Sequence, residues 1–468
     1  MAASHLFVCI ILCTYYSVAH GGDDEHGFVT VLTSRSFQPE AAECSTTRVN
    51  LEPSRATVSL PLAHWHGPCA PLQTSEKPSF TERLRRSRAR ANYIRSRAST
   101  GTVSTQAGDD ANVTIPAHLG GSVDSLEYVV TMGLGTPPVP QVVLMDTGSD
   151  LSWVQCAPCN STACYPQKDP LFDPSKSSSY AAIPCSAGAC RNLTVDDYGD
   201  GCVTSGGASQ CAFAIEYGDG SHTRGVYSKE TLTLAPGVTV EDFHFGCADD
   251  QEGSNDKYDG LIGLGGAPES LVVQTSSVYG SAFSYCLPAQ NSEAGFLALG
   301  GAPSANTSGF LFTPMRVEEA TFYVVTLTGV SVGGKQLDIP PVVFSHGMIV
   351  DSGTVITELP HTAYAALRSA FRSAMSAYPL LPPSEDLDTC YNLTGFSNVT
   401  VPTVALTFDG GATMDLDVPN GILLEGCLAF QEAGPDDFPG ILGNVNQRTF
   451  EVHYDVSHGK VGFRAGAC

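Results

Sequence analysis

Residues 142–150 read VVLMDTGSD, and residues 347–354 read GMIVDSGT. Each stretch places an aspartate behind a run of large apolar residues and ahead of a hydroxyl residue and a glycine. Such a run predicts a buried strand, where an isolated carboxylate is costly unless something compensates it. That the chain does this twice, with Asp146 and Asp351 lying 205 positions apart, decides the reading of the fold.

Other elements recur in the same order around the two aspartates. EYVVTMGLG at 127–135 is echoed by FYVVTLTGV at 322–330, and Gly260-Leu261-Ile262-Gly263 by Gly440-Ile441-Leu442-Gly443. The period is too long for a solenoid and suits two related lobes. Glycines beside short apolar runs allow the close backbone approach that a crossing loop needs. β-Branched alternation, with 47 Gly and 30 Pro scattered along the chain, predicts an all-β dominated architecture with a few short helices. The clearest helix is predicted over 361–378, where Tyr364, Leu367, Phe371, Met375 and Tyr378 form one core-facing stripe.

The 468 residues, 42% of them hydrophobic, suffice for more than one domain. The apolar stretch from Leu6 to Tyr16 is too short to cross a bilayer and predicts a signal peptide over 1–19. Residues 20–110 read as a prosegment, because RLRRSRARANYIRSR at 83–97 packs seven Arg into fifteen residues. Of the 24 Lys and Arg, 11 fall in residues 1–110, leaving 13 against 38 acidic residues in 111–468. A body so acidic repels phosphate backbones, so the mature part is not expected to bind nucleic acid, and the basic run is expected to bind that body in cis. The remaining chain divides into an N-terminal lobe, 111–315, and a C-terminal lobe, 316–468.

Seven of the 16 cysteines lie between Cys156 and Cys211. No second Cys or His pair follows Cys156-x-x-Cys159 at ligand spacing, so disulfides formed in an oxidising compartment are expected and a metal site is not. Sequons at Asn112, Asn160, Asn192, Asn306, Asn392 and Asn398 are candidate glycosylation sites. A secreted monomer without membrane attachment is the expectation.

If a twofold axis relates the halves, Asp146 and Asp351 meet on it. Two touching carboxylates do not readily both ionise, so one keeps a proton while its partner stays charged, giving an acid and a base at one site. Such a pair can activate water against a carbonyl without cofactor or metal. Gly148 and Gly353 permit tight turns, and Thr147, Ser149, Ser352 and Thr354 supply hydroxyls that hold the carboxylates. A glycosidase pair would play unequal roles and would not call for duplicated surroundings.

Over roughly residues 125–468 the chain resembles a pepsin-type aspartic endopeptidase, through DTGS and DSGT, each followed in its own half by an apolar-apolar-Gly element. Aspartic proteases are the standard case of two carboxylates sharing one proton. IEYGDGS at 215–221 resembles the family's flap, with Tyr217, Gly218, Asp219 and Gly220 at the substrate-facing hairpin. Trp153 matches the tryptophan whose indole bonds the flap tyrosine. More narrowly, the cysteine-rich insertion at 156–211 resembles the atypical plant subgroup that includes nepenthesins. The resemblance implies a bilobal fold with a cleft, protein or peptide substrates, apolar side chains beside the scissile bond and a zymogen active in acid. It also implies the pairs Cys156–Cys159, Cys164–Cys247, Cys185–Cys211, Cys190–Cys202, Cys286–Cys468 and Cys390–Cys427. Some relatives in the subgroup are non-catalytic inhibitors of polysaccharide-degrading enzymes, usually with damaged motifs; both triplets here are intact.

Overall fold

The computed structural model describes residues 28–32, 80–97, 113–115, 117–119, 128–159, 163–195, 198–217, 221–252, 257–289, 295–301, 309–383, 387–418 and 421–468. The predicted signal peptide, most of the predicted prosegment, Asn112, Asn160, Asn306 and Gly218 to Gly220 lie outside the described residues. Strand dominates, and the chain forms two β-lobes.

In the N-terminal lobe, Val139–Asp146 runs antiparallel to Tyr128–Leu134 and parallel to Gly260–Gly263, with Gly263 opposite Asp146. In the C-terminal lobe, Met348–Val350 runs antiparallel to Phe322–Val325 and parallel to Gly440–Leu442, so Val350 pairs with Leu442. The same three-strand unit thus ends at each aspartate. Its crossings require glycine: a Cβ on Gly260 would lie 1.9 Å from the Trp153 carbonyl oxygen, and one on Gly263 2.0 Å from that of Asp150. Tyr128 and Tyr323, the matched tyrosines of the repeat, are fully buried. The Tyr128 hydroxyl donates to the Pro288 carbonyl at 2.9 Å, and that of Tyr323 to the Leu264 carbonyl at 2.9 Å.

The halves are joined by a shared sheet in which Phe296–Leu299, Ala282–Cys286, Glu451–Asp455, Lys460–Arg464 and Leu311–Glu318 lie in that order. The boundary expected at 315 therefore falls inside the strand Leu311–Glu318. Phe283 stacks on Tyr454 at 4.4 Å between ring centres, anchoring this layer below the two aspartate loops.

The predicted helix spans His361–Ala374, with Tyr364, Leu367 and Phe371 buried as its stripe. It stops short of 378 because Tyr378 precedes Pro379, and a residue before proline avoids helical backbone. Tyr378 instead accepts a hydrogen bond from the Thr400 backbone N–H at 2.7 Å and packs on Phe396. No helix among the described residues is long and apolar enough to cross a membrane.

Six disulfides join the twelve cysteines from Cys156 onward. Cys286–Cys468 and Cys390–Cys427 are the expected pairs, whereas Cys156–Cys159, Cys164–Cys247, Cys185–Cys211 and Cys190–Cys202 are replaced by four others. Cys156 bonds Cys247 because Trp153–Gln155 runs parallel to Val238–Glu252, which brings their Cα atoms to 5.4 Å. Cys159 is left to close a short loop with Cys164. In the insertion, Cys190 points from the inward face of the helix Gly188–Val195 into the cluster holding Leu193 and Phe213, where it meets Cys211. The exposed Cys202, opposite Cys211 on the next strand, bonds Cys185. The order of cysteines along the chain does not reveal which face of a strand or helix each occupies.

Candidate active site

Asp146 and Asp351 each end a buried strand at the seam between the lobes, and both are buried. Around them the turns mirror one another. The Gly148 N–H donates to Asp146 Oδ1 and the Gly353 N–H to Asp351 Oδ1, each at 2.9 Å. The Ser149 hydroxyl donates to Asp146 Oδ2 at 2.5 Å, and that of Thr354 to Asp351 Oδ2 at 2.6 Å. A Cβ on Gly148 would come within 2.9 Å of Asp351 Oδ1, and one on Gly353 within 2.5 Å of Asp146 Oδ1, so each glycine clears room for the opposite carboxylate.

The middle residues of the triplets lock the lobes together. The Thr147 N–H donates to the Ser352 hydroxyl at 3.1 Å, and the Ser352 N–H to the Thr147 hydroxyl at 2.9 Å. Those hydroxyls in turn donate across the seam, Thr147 to the Val350 carbonyl at 3.2 Å and Ser352 to the Met145 carbonyl at 2.9 Å. Four cross-lobe bonds in a dry site fix the separation of the aspartates without side-chain freedom. Burial pushes the Asp351 carboxyl above the usual carboxylate range, with the Arg90 cation opposing the shift and the Asp146 charge adding to it.

Arg90 belongs to the Arg-rich helix Phe80–Arg97, which lies in the cleft between the lobes. Its Nη2 donates to Asp146 Oδ1 at 2.5 Å and its Nε stands 3.5 Å from Asp351 Oδ2, so one guanidinium spans both carboxylates. The helix is anchored on both sides of that contact. Leu84 packs with Val355, Ile356 and Val445; Ala91 and Ile94 pack with Phe322, Val324, Ile349 and Ile441. The Val355 N–H donates to the Ser87 hydroxyl at 2.8 Å. Arg95 forms an ion pair with the buried Glu358, while burial and the charge of Arg88 bring its guanidinium down to about 10.

On the N-terminal lobe, the Trp153 indole donates to the Tyr217 hydroxyl at 2.6 Å. Burial raises the Tyr217 hydroxyl above its ordinary value, and the indole bond opposes this. Tyr93 of the helix, Leu151, Ile215, Tyr217 and Phe322 line a small cavity beside the aspartates. Asp150, four residues past Asp146, is held by the Thr321 and Tyr198 hydroxyls at 2.6 and 3.2 Å and by the Ala267 N–H at 2.9 Å. Burial still lifts it to about 6. Of the sequon asparagines described, Asn192, Asn392 and Asn398 are exposed.

Sequence reasoning missed three of these groups. The Arg run was visible, but not that Arg90 would meet the aspartates. Asp150 stood inside the quoted motif with no signal of its own. Glu358 follows Asp351 by the same seven residues that separate Trp153 from Asp146, a match that extending the repeat would have found.

A bilobal β-fold with matched Asp-Thr/Ser-Gly turns at its seam defines the pepsin-like class. Residues 128–301 match the family model described as xylanase inhibitor N-terminal, and residues 322–465 the one described as xylanase inhibitor C-terminal. An aspartyl protease family protein of Arabidopsis thaliana is 40% identical over 99% of this chain and 98% of its own length. The aspartic proteinase nepenthesin-1 of Nepenthes gracilis is 34% identical over 73% of this chain and 78% of its own. Among solved structures, basic 7S globulin from soybean superposes with a TM-score of 0.61 at 20% identity, covering 75% of this chain and 94% of that one, a likeness of fold. The chain belongs to the pepsin-like aspartic protease family, with plant aspartic proteases among its relatives.

Proposed function

We propose that this chain is the zymogen of a secreted aspartic endopeptidase that works in acid, with Asp146 and Asp351 as its catalytic pair and the helix Phe80–Arg97 as its internal block. The observation that carries the reading is Arg90 placed across both carboxylates, where a substrate's scissile bond would otherwise lie. A basic side chain there neutralises the pair and excludes the water it would activate.

With the helix gone, the two carboxylates share one proton. Water bound between them gives a proton to the charged carboxylate as its oxygen attacks the peptide carbonyl carbon, and the protonated carboxyl donates to the carbonyl oxygen. The tetrahedral intermediate collapses as its C–N bond breaks and the leaving nitrogen takes up a proton. Tyr217, tied to Trp153 and lining the cavity beside the aspartates, is assigned the role of the flap residue. The apolar lining of the cavity beside it suits an apolar side chain next to the scissile bond.

Acid is the expected trigger. Asp146, Asp351 and Glu358 hold the helix through its arginines, so protonating them removes the counter-charges that keep it seated. The precursor is expected to digest an unfolded protein only after exposure to about pH 4, with loss of the segment before Tyr128, and Arg90→Ala is expected to shorten the lag at least about threefold. Digestion by the intact precursor at neutral pH, or a lag unchanged in Arg90→Ala, counts against the scheme. The family model's description favours a second reading, a non-catalytic inhibitor. No digestion at any pH, together with tight binding to a polysaccharide-degrading enzyme, would favour it.

A further inference from the structure

Arg95 enters a site that the catalytic scheme does not use. Glu358 sits in the strand Thr357–Pro360, opposite Ile441 on one side and Gln431 on the other. The Gln431 side-chain amide donates to its carboxylate, and the Arg95 guanidinium closes the remaining face. Arg95 and Glu358 are 4% and 0% exposed, so the pair is shut from water beneath the helix. A buried carboxylate oriented by an amide and paired with a guanidinium from the helix is a receptor for a cation, and a planar guanidinium fits it better than an ammonium.

We propose that Glu358 is the floor of an acidic subsite, filled by Arg95 in the precursor, that selects a basic side chain in the substrate, arginine above lysine. The assignment rests on the protease reading above. Arg95 follows Arg90 by five helical positions, an axial distance of about 7.5 Å, which an extended peptide covers in about two residues. The selected side chain therefore lies about two positions from the scissile bond. Departure of the helix leaves the carboxylate without its cation, and a substrate arginine restores the pairing that the precursor supplies in cis. The tendency of the rest of the body toward negative charge points the same way, favouring basic peptides on approach.

The test uses the full chain after acid activation, assayed at about pH 5, above the ordinary carboxylate range. A peptide library is digested first. Matched peptides then compare arginine with norleucine at the enriched position. The wild type is expected to favour arginine at least about tenfold in kcat/KM, and Glu358→Gln to bring that ratio to about one. Cleavage without basic enrichment at any position, or an unchanged ratio in Glu358→Gln, overturns the subsite and leaves the protease reading standing. No cleavage of any peptide by the activated wild type overturns both. Should Glu358→Gln fail to fold, the arginine-to-norleucine ratio of the wild type decides by itself, a ratio near one overturning the proposal.

Discussion

The two lobes are alike for the first four residues of each aspartate turn and unlike soon after. Thr147 and Ser352 exchange equivalent bonds, and Ser149 and Thr354 hold their carboxylates in the same way. Seven residues past each aspartate the strands are still equivalent, since Trp153 pairs with Leu261 as Glu358 pairs with Ile441. The side chains there differ entirely: an indole bonded to Tyr217 in one lobe, a carboxylate bonded to the helix in the other. Under the proposed reading, the pair chemistry asks for symmetry at the carboxylates, and recognition of an unsymmetrical peptide asks for its loss beside them. A further difference lies just before the crossing strands, where Asp259 of one lobe corresponds to Pro439 of the other.

The comparison can be broken most severely at the lock. Thr147→Val and Ser352→Ala each strand a buried N–H of the opposite lobe, and each is expected to cost about 2–4 kcal/mol in denaturant unfolding. Equal losses sharpen the symmetry; a loss in one variant alone breaks it. An effect of similar order is expected at Asp259 between about pH 4 and pH 7. Its carboxylate accepts the Val142 N–H at 2.6 Å, yet burial raises it to about 7. A carboxyl with a raised folded pKa binds more protons folded than unfolded. Its stabilising contribution is thus complete below about pH 4 and is lost as pH rises through about 7. Asp259→Asn is expected to match the wild type near pH 4 and to exceed it near pH 7 in urea midpoint. A wild type that loses no stability relative to this variant over that interval contradicts the raised carboxyl.

Much of this was legible in the sequence because duplication writes itself as repeated residue types. The paired DTGS and DSGT turns, the Gly-bounded crossing strands and the matched tyrosines carried the bilobal fold, and Trp153 and Tyr217 came with the resemblance. What stayed hidden depends on facing. Cys190 and Cys202 are both near Cys211, and only the inward face of a short helix decides which one bonds it. Likewise, seven arginines in the run looked equivalent. Helical phase and the packing of Leu84, Ala91 and Ile94 turn Arg90 toward the aspartates and Arg95 toward Glu358.

The central claim is that Asp146 and Asp351 act as one unit on a peptide bond, and the most direct measurement is the rate at which acid-activated protein cleaves an unfolded chain at about pH 4. Asp146→Asn and Asp351→Asn, activated in trans by wild-type protein that is then removed, are each expected to lose at least about 10³-fold in kcat/KM, because neither half of an acid–base pair works alone. Wild-type rates in either Asn variant would contradict the account.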